Sequence, residues 1–129
     1  MKLEALKKRI KRNRLAELAD EFYCDANSQI VTDLKSNGKD VYFGIQNENG
    51  TYTILGSEYT YYRMKDGNEK RILNKDFVLV LQKNAMNIGK GGEFEFINIG
   101  KQDSVWVING KTMCAIWNTV KFLNENENE

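Results

Sequence analysis

The chain has 129 residues, 41% hydrophobic and 11% aromatic, with a formal net charge of +1. That size and composition suit one folded domain whose core needs neither metal nor disulfide, and they exclude a disordered polyelectrolyte. Histidine is absent, which removes the commonest general base and the commonest transition-metal ligand together.

The net charge conceals a split. Residues 1–14 hold seven Lys/Arg and one Glu, a net of +6, while the rest of the chain holds twelve bases and seventeen acids, a net of −5. Six of the eight residues from Lys7 to Arg14 are basic (Lys7, Lys8, Arg9, Lys11, Arg12, Arg14), and none is acidic. Such asymmetry points to a polyanionic partner at the basic end. Residues 2 to about 24 predict a helix, since Leu, Ala, Glu, Lys and Arg dominate and no breaker interrupts them. Its apolar stripe changes phase: Leu3, Leu6 and Ile10 share one face, but Leu15, Leu18, Ala19 and Phe22 start a second stripe elsewhere around the axis. One straight helix does not press both into one core. Either the helix bends near Asn13 or its first turns project, and projection of residues 1–14 as a basic arm is the expectation, ahead of a domain over 15–123.

From Gln29 onward the pattern predicts short extended segments. Ile30–Leu34 precedes Ser36-Asn37-Gly38. Asn47-Glu48-Asn49-Gly50 and Lys65-Asp66-Gly67-Asn68 mark two hairpins, the first joining Val41–Gln46 to Thr51–Leu55 and the second joining Glu58–Met64 to Lys70–Leu73. Asp76–Gln82 fits a buried strand or the start of a helix running to Ile88 from an Asn74 or Asp76 cap. Glu93–Ile99 and Ser104–Ile108 read as strands. Beyond Asn109-Gly110 a third hairpin competes with a helix capped by Thr112, and five apolar residues at helical spacing (Met113, Ile116, Trp117, Val120, Leu123) favour the helix. The Asn/Glu tail over 124–129 is expected to be disordered. The fold class these elements predict is α+β: a mostly antiparallel, meander-like sheet of five to seven strands with an N-terminal basic helix and a C-terminal helix.

Candidate chemistry is sparse. The six basic residues, with Lys90 in the glycine-rich loop 89–92, are the candidate nucleic-acid contacts, because cations that track a phosphate backbone release its counterions. Around the helical wheel the six spread over nearly the whole circumference. Leu3, Leu6 and Ile10, together with Tyr59, Tyr61 and Tyr62, are the candidate surface for a protein partner. In a strand Tyr59 and Tyr61 share a face and Tyr62 takes the other. Gly110-Lys111-Thr112 lacks the upstream glycine of a phosphate loop, its position being Val105. Glu93 and Glu95 alternate with phenylalanines, as in any half-exposed strand, and Asp33-Leu34-Lys35 is too short a match to carry metal chemistry. Cys24 and Cys114, without a CxxC pairing or a secretory signal, read as buried thiols in a reducing compartment. The longest apolar run, Phe77–Leu81, is too short for a bilayer. The abundance of Asn and Lys and the lack of Pro resemble small bacteriophage and mobile-element proteins.

The expected function is that of a small, cytoplasmic, non-enzymatic binding protein without cofactor, metal or membrane association. It would contact nucleic acid or a nucleoprotein complex through the basic helix and so modulate or inhibit a host machine. The alternatives are a protein–protein inhibitor or adaptor and, disfavoured, a small metal-dependent hydrolase.

Overall fold

A computed structural model describes residues 3–88 and 95–126. The N-terminal helical stretch is broken once. Helix α1 (Leu3–Asn13) carries Glu4 in its first turn and Lys11 and Arg12 in its last, an order that complements the helix dipole. Arg14 then takes a left-handed conformation (φ 60°, ψ 27°) before α2 (Leu15–Ala19). This residue resolves the phase break, because the first stripe belongs to α1 and the second begins in α2 and ends at Phe22 in the 3-10 turn that follows. Leu15 and Ala19, one turn apart, are buried. The N-terminal segment therefore bends, and it does not project: the backbone of α1 runs alongside the C-terminal helix.

After a 3-10 turn (Asp20–Phe22) come β1 (Tyr23–Cys24) and helix α3 (Gln29–Ser36). Residues 30–34 are thus helical, against the strand expected there. Val31 and Leu34 are buried on one face of α3, a spacing that a helix satisfies and a strand does not. Ser36-Asn37-Gly38 closes this helix, with Gly38 at φ 83° and Lys39 N–H donating to Leu34 O at 3.1 Å, as a left-handed C-cap does.

Strands β2 (Val41–Gln46), β3 (Tyr52–Gly56), β4 (Tyr59–Arg63) and β5 (Glu69–Leu73) follow, and the sheet order is β1-β2-β3-β4-β5, antiparallel throughout. Both expected hairpins form, their glycines at positive φ (Gly50 95°, Gly67 90°). Helix α4 (Asn74–Ile88) settles the ambiguous stretch as helix. Strands β6 (Phe96–Ile99) and β7 (Asp103–Trp106) make a separate two-stranded sheet, and helix α5 (Gly110–Asn126) ends the described chain. Its cap is Asn109, whose Oδ1 accepts from Thr112 N–H at 2.9 Å, so Thr112 lies inside the first turn and does not cap it. Residues 124–126 continue the helix, although a disordered tail was expected from 124.

The five-stranded sheet has a core on each face. On the first, Phe43, Ile45, Leu55 and Tyr62 meet Phe77 and Leu81 of α4, Ile97 and Val105 of the small sheet, Met113, Ile116, Val120 and Leu123 of α5, and Leu15 of α2. On the second, Val41, Tyr52, Ile54 and Tyr61 meet Cys24 and Val31 and Leu34 of α3. The fold is α+β, with a five-stranded antiparallel meander, a two-stranded sheet and a C-terminal helix. No helix among the described residues is long and apolar enough to cross a membrane.

Candidate functional site

The basic segment acquires a definite geometry from the bend. Lys7, Lys8, Lys11 and Arg12 are exposed on α1, and at 3.6 residues per turn they fall within an arc of about 140°. Taken by themselves these four form one cationic face; the wider spread expected from sequence included Arg9, whose side chain lies outside the described residues, and Arg14. Its axial length is about 7.5 Å at 1.5 Å per residue. Glu4 lies on the same arc and offsets part of the charge. Among the described residues none of the four cations has an acidic partner; the ion pairs there are Arg14–Glu17 and Lys70–Asp103.

Arg14 differs from those four in having an acidic partner. Its Nε and Nη2 donate to Glu17 Oε2 and Oε1 at 3.0 and 2.8 Å. These hydrogen bonds, and behind them the paired charges, hold the Glu17 carboxyl below its ordinary pKa and raise that of Arg14. The side chains of Leu3, Leu6, Arg9 and Ile10 lie outside the described residues, as do Lys90 and Glu93. The expected partner stripe and the loop cation therefore fall outside what the structure describes.

The tyrosines are placed differently from the expectation of exposed rings. Tyr59 and Tyr61 share one face and Tyr62 the other, as their spacing dictates. Tyr62, however, is 2% exposed and Tyr61 8% exposed. Tyr62 is sealed by the α4–α5 core, and its hydroxyl is held protonated to higher pH by burial and by the charge of Asp103. It offers no docking surface. Tyr59 alone of the three stays half-exposed.

Sequence reasoning missed a groove of about 710 Å³ on the second face of the sheet. Helix α3 covers only part of that face, so its C-terminal end and the β4–β5 strands form two walls. Ile30, Asp33, Leu34, Asn37 and Lys39 line one side, with Tyr52, Tyr61, Glu69 and Arg71 on the other. Lys39 Nζ stands 5.8 Å from the Tyr61 ring centroid, and Arg71 Cζ stands 4.2 Å over the Tyr59 ring. Tyr52 donates its hydroxyl to Glu69 Oε1 at 3.0 Å, and Gln29 Nε2 donates to Asp33 Oδ1 at 2.7 Å. Burial first, then the Glu69 carboxylate, pushes the Tyr52 hydroxyl well above the ordinary tyrosine range. The only signals in the sequence were the glycine that ends α3 and the alternation that puts Glu69 and Arg71 on one side of β5. Both were legible only once residues 30–34 were known to be helical.

A second surface that sequence did not single out lies on α4, where Leu79 and Met86 are 64% and 78% exposed. Gly110-Lys111-Thr112 forms the capped first turn of α5 behind Ile108, a β-branched residue at φ 70°, with Thr112 buried. Cys24 is buried with its thiol raised by desolvation, and Cys114 is buried too. Among the described residues no three Cys, Asp or Glu side chains gather as a metal site. Compared with known protein families, curated sequences and solved structures, the chain matches none.

Proposed function

We propose that this chain is a small non-enzymatic binding protein whose α1 contacts the phosphate backbone of a nucleic acid, alone or within a nucleoprotein complex, and thereby modulates a host machine. The observation that carries the reading is the cationic face of Lys7, Lys8, Lys11 and Arg12, four exposed bases with no ion-pair partner among the described residues and one acid, Glu4, on the same arc. The like-charged pairs Lys7/Lys11 and Lys8/Arg12 stand at i,i+4, and each costs an isolated helix about 0.2–0.5 kcal/mol. A polyanion laid along the arc relieves that repulsion and releases its own counterions. Counter to this stands the helix dipole, which by itself favours bases in a last turn; it accounts for Lys11 and Arg12 but not for Lys7 and Lys8.

Four phosphate contacts give a log–log salt slope of about −3 to −4. Fluorescence anisotropy with labelled duplex DNA and RNA, from low to physiological salt, measures it. Changing Lys7, Lys8, Lys11 and Arg12 together to Gln is expected to abolish the slope while leaving the melting temperature unchanged or slightly raised. Binding that is salt-insensitive, or that survives the fourfold change, removes the proposal.

A further inference from the structure

We infer that the groove between α3 and strands β4 and β5 is a nucleotide-binding site, taking a base together with its phosphate either as a free nucleotide or as one unit of a single strand. The argument begins with charge. Lys39 and Arg71 have no acidic partner among the described residues; each faces an aromatic ring instead, at 5.8 and 4.2 Å. The two carboxylates of the groove are engaged by neutral donors, Glu69 by the Tyr52 hydroxyl and Asp33 by Gln29. The pocket thus holds two unneutralised cations beside two acceptors of fixed position, and its volume of about 710 Å³ lies within the usual range for small-ligand sites.

Shape then selects the ligand. Arg71 is exposed, and its guanidinium carbon stands 4.2 Å from the Tyr59 ring centroid. A guanidinium plane backed by an aromatic ring is a stacking platform for a base. Lys39, across the groove on the residue following the Gly38 cap, is placed to meet the phosphate. Asp33 and Glu69 repel a phosphate but accept from an exocyclic amino group, as carboxylates do from cytosine N4. The groove should therefore prefer amino-bearing bases (adenine, cytosine) to uracil. A simple anion would use the cations and be repelled by the acids, so it explains only half of the lining.

This site is independent of the one proposed on α1. The groove opens on the second face of the sheet, while α1 runs beside α5, which packs on the first. The experiment uses the full chain and follows 1H–15N spectra during titration with AMP, CMP, UMP, inorganic phosphate, a short oligo-dC and an oligo-glutamate peptide. Shifts are expected at Gly38, Lys39, Tyr61 and Arg71, with CMP and AMP binding more tightly than UMP. Arg71→Ala should weaken binding by about tenfold or more, the order of one base stack. Arg71→Lys should weaken it nearly as much, since it keeps the charge and loses the plane. Lys39→Gln should also weaken it, and the fourfold Gln variant of α1 should bind mononucleotide as the parent does. Saturation by CMP assigns a free nucleotide, and saturation by oligo-dC alone assigns a strand. Equal binding of phosphate or oligo-glutamate, full rescue by Arg71→Lys, or no shift at the groove with any nucleotide overturns the inference. Circular dichroism of each variant separates a lost site from a lost fold, and the exposed Arg71 makes its substitutions compatible with folding.

Discussion

Asn74 joins three elements through one fully buried side chain. Its Oδ1 accepts from the Thr60 hydroxyl at 2.9 Å, and its Nδ2 donates to the Gly56 carbonyl at 2.9 Å. Its own N–H donates to Glu58 O at 2.8 Å. The β3–β4 turn, β4 and the start of α4 are thereby locked to one another by direct hydrogen bonds. Removing the amide leaves a buried hydroxyl and a buried carbonyl unpaired, each costing about 1–3 kcal/mol. Asn74→Ala is expected to destabilise the fold by about 2–4 kcal/mol in urea unfolding. Thr60→Val, which removes one partner, should cost less, and the double variant should cost less than the sum by about 1 kcal/mol. Strict additivity would mean that the two side chains do not share a hydrogen bond.

At the scale of elements, the informative cases are α3 and the α1–α2 joint. Ile30-Val31-Thr32 is β-branched and reads as strand by propensity, yet Val31 and Leu34 must both face the sheet, and only a helix brings them there. The punctuation misled in the same way. Asn-Gly closes hairpins at residues 49–50, but at residues 37–38 the same pair caps a helix, because a left-handed glycine serves both turns. The two hairpins were legible because their flanking segments alternate; α3 was not, because its alternation and its helical period coincide over five residues. The groove depends on α3, so it was hidden behind that one misreading. The joint at Arg14 was legible as a phase break, and a bend near Asn13 was one of its two readings, but projection was preferred, since no sequence rule places an arginine in the left-handed region. That conformation costs a non-glycine residue about 1–2 kcal/mol, against which the solvent-exposed Glu17 pair contributes little. Arg14→Gly is therefore expected to leave the melting temperature unchanged or raised, and to change the salt slope of nucleic-acid binding far less than Lys11→Gln does. An equal loss of slope from both would return Arg14 to the set of phosphate contacts.

Across the whole molecule, the two cores share one chemical trait, tyrosines whose hydroxyls are held protonated. Tyr23, Tyr42, Tyr52 and Tyr62 are all shifted upward, with burial the leading cause in each. Tyr52 belongs to the second-face core and Tyr62 to the first, so both layers respond to the same variable. The unfolded chain loses these protons near the ordinary tyrosine pKa of about 10, whereas the folded chain keeps them. Above that pH the folded state binds more protons than the unfolded one, and linkage then requires stability to fall as pH rises. Lys70, raised by its hydrogen bond to Asp103, acts in the same direction, because its charged form is favoured by folding and is lost at high pH. Stability is thus fully present below the unfolded-state values and declines through the alkaline range. The urea midpoint is expected to be lower at about pH 10.5 than at about pH 8, where the tyrosines of both states are protonated. Tyr52→Phe should lower the midpoint at the milder pH, through the lost bond to Glu69, and should flatten its fall with alkali. A midpoint constant between the two conditions, or a Tyr52→Phe profile parallel to the parent's, would show that the buried hydroxyls do not couple folding to pH.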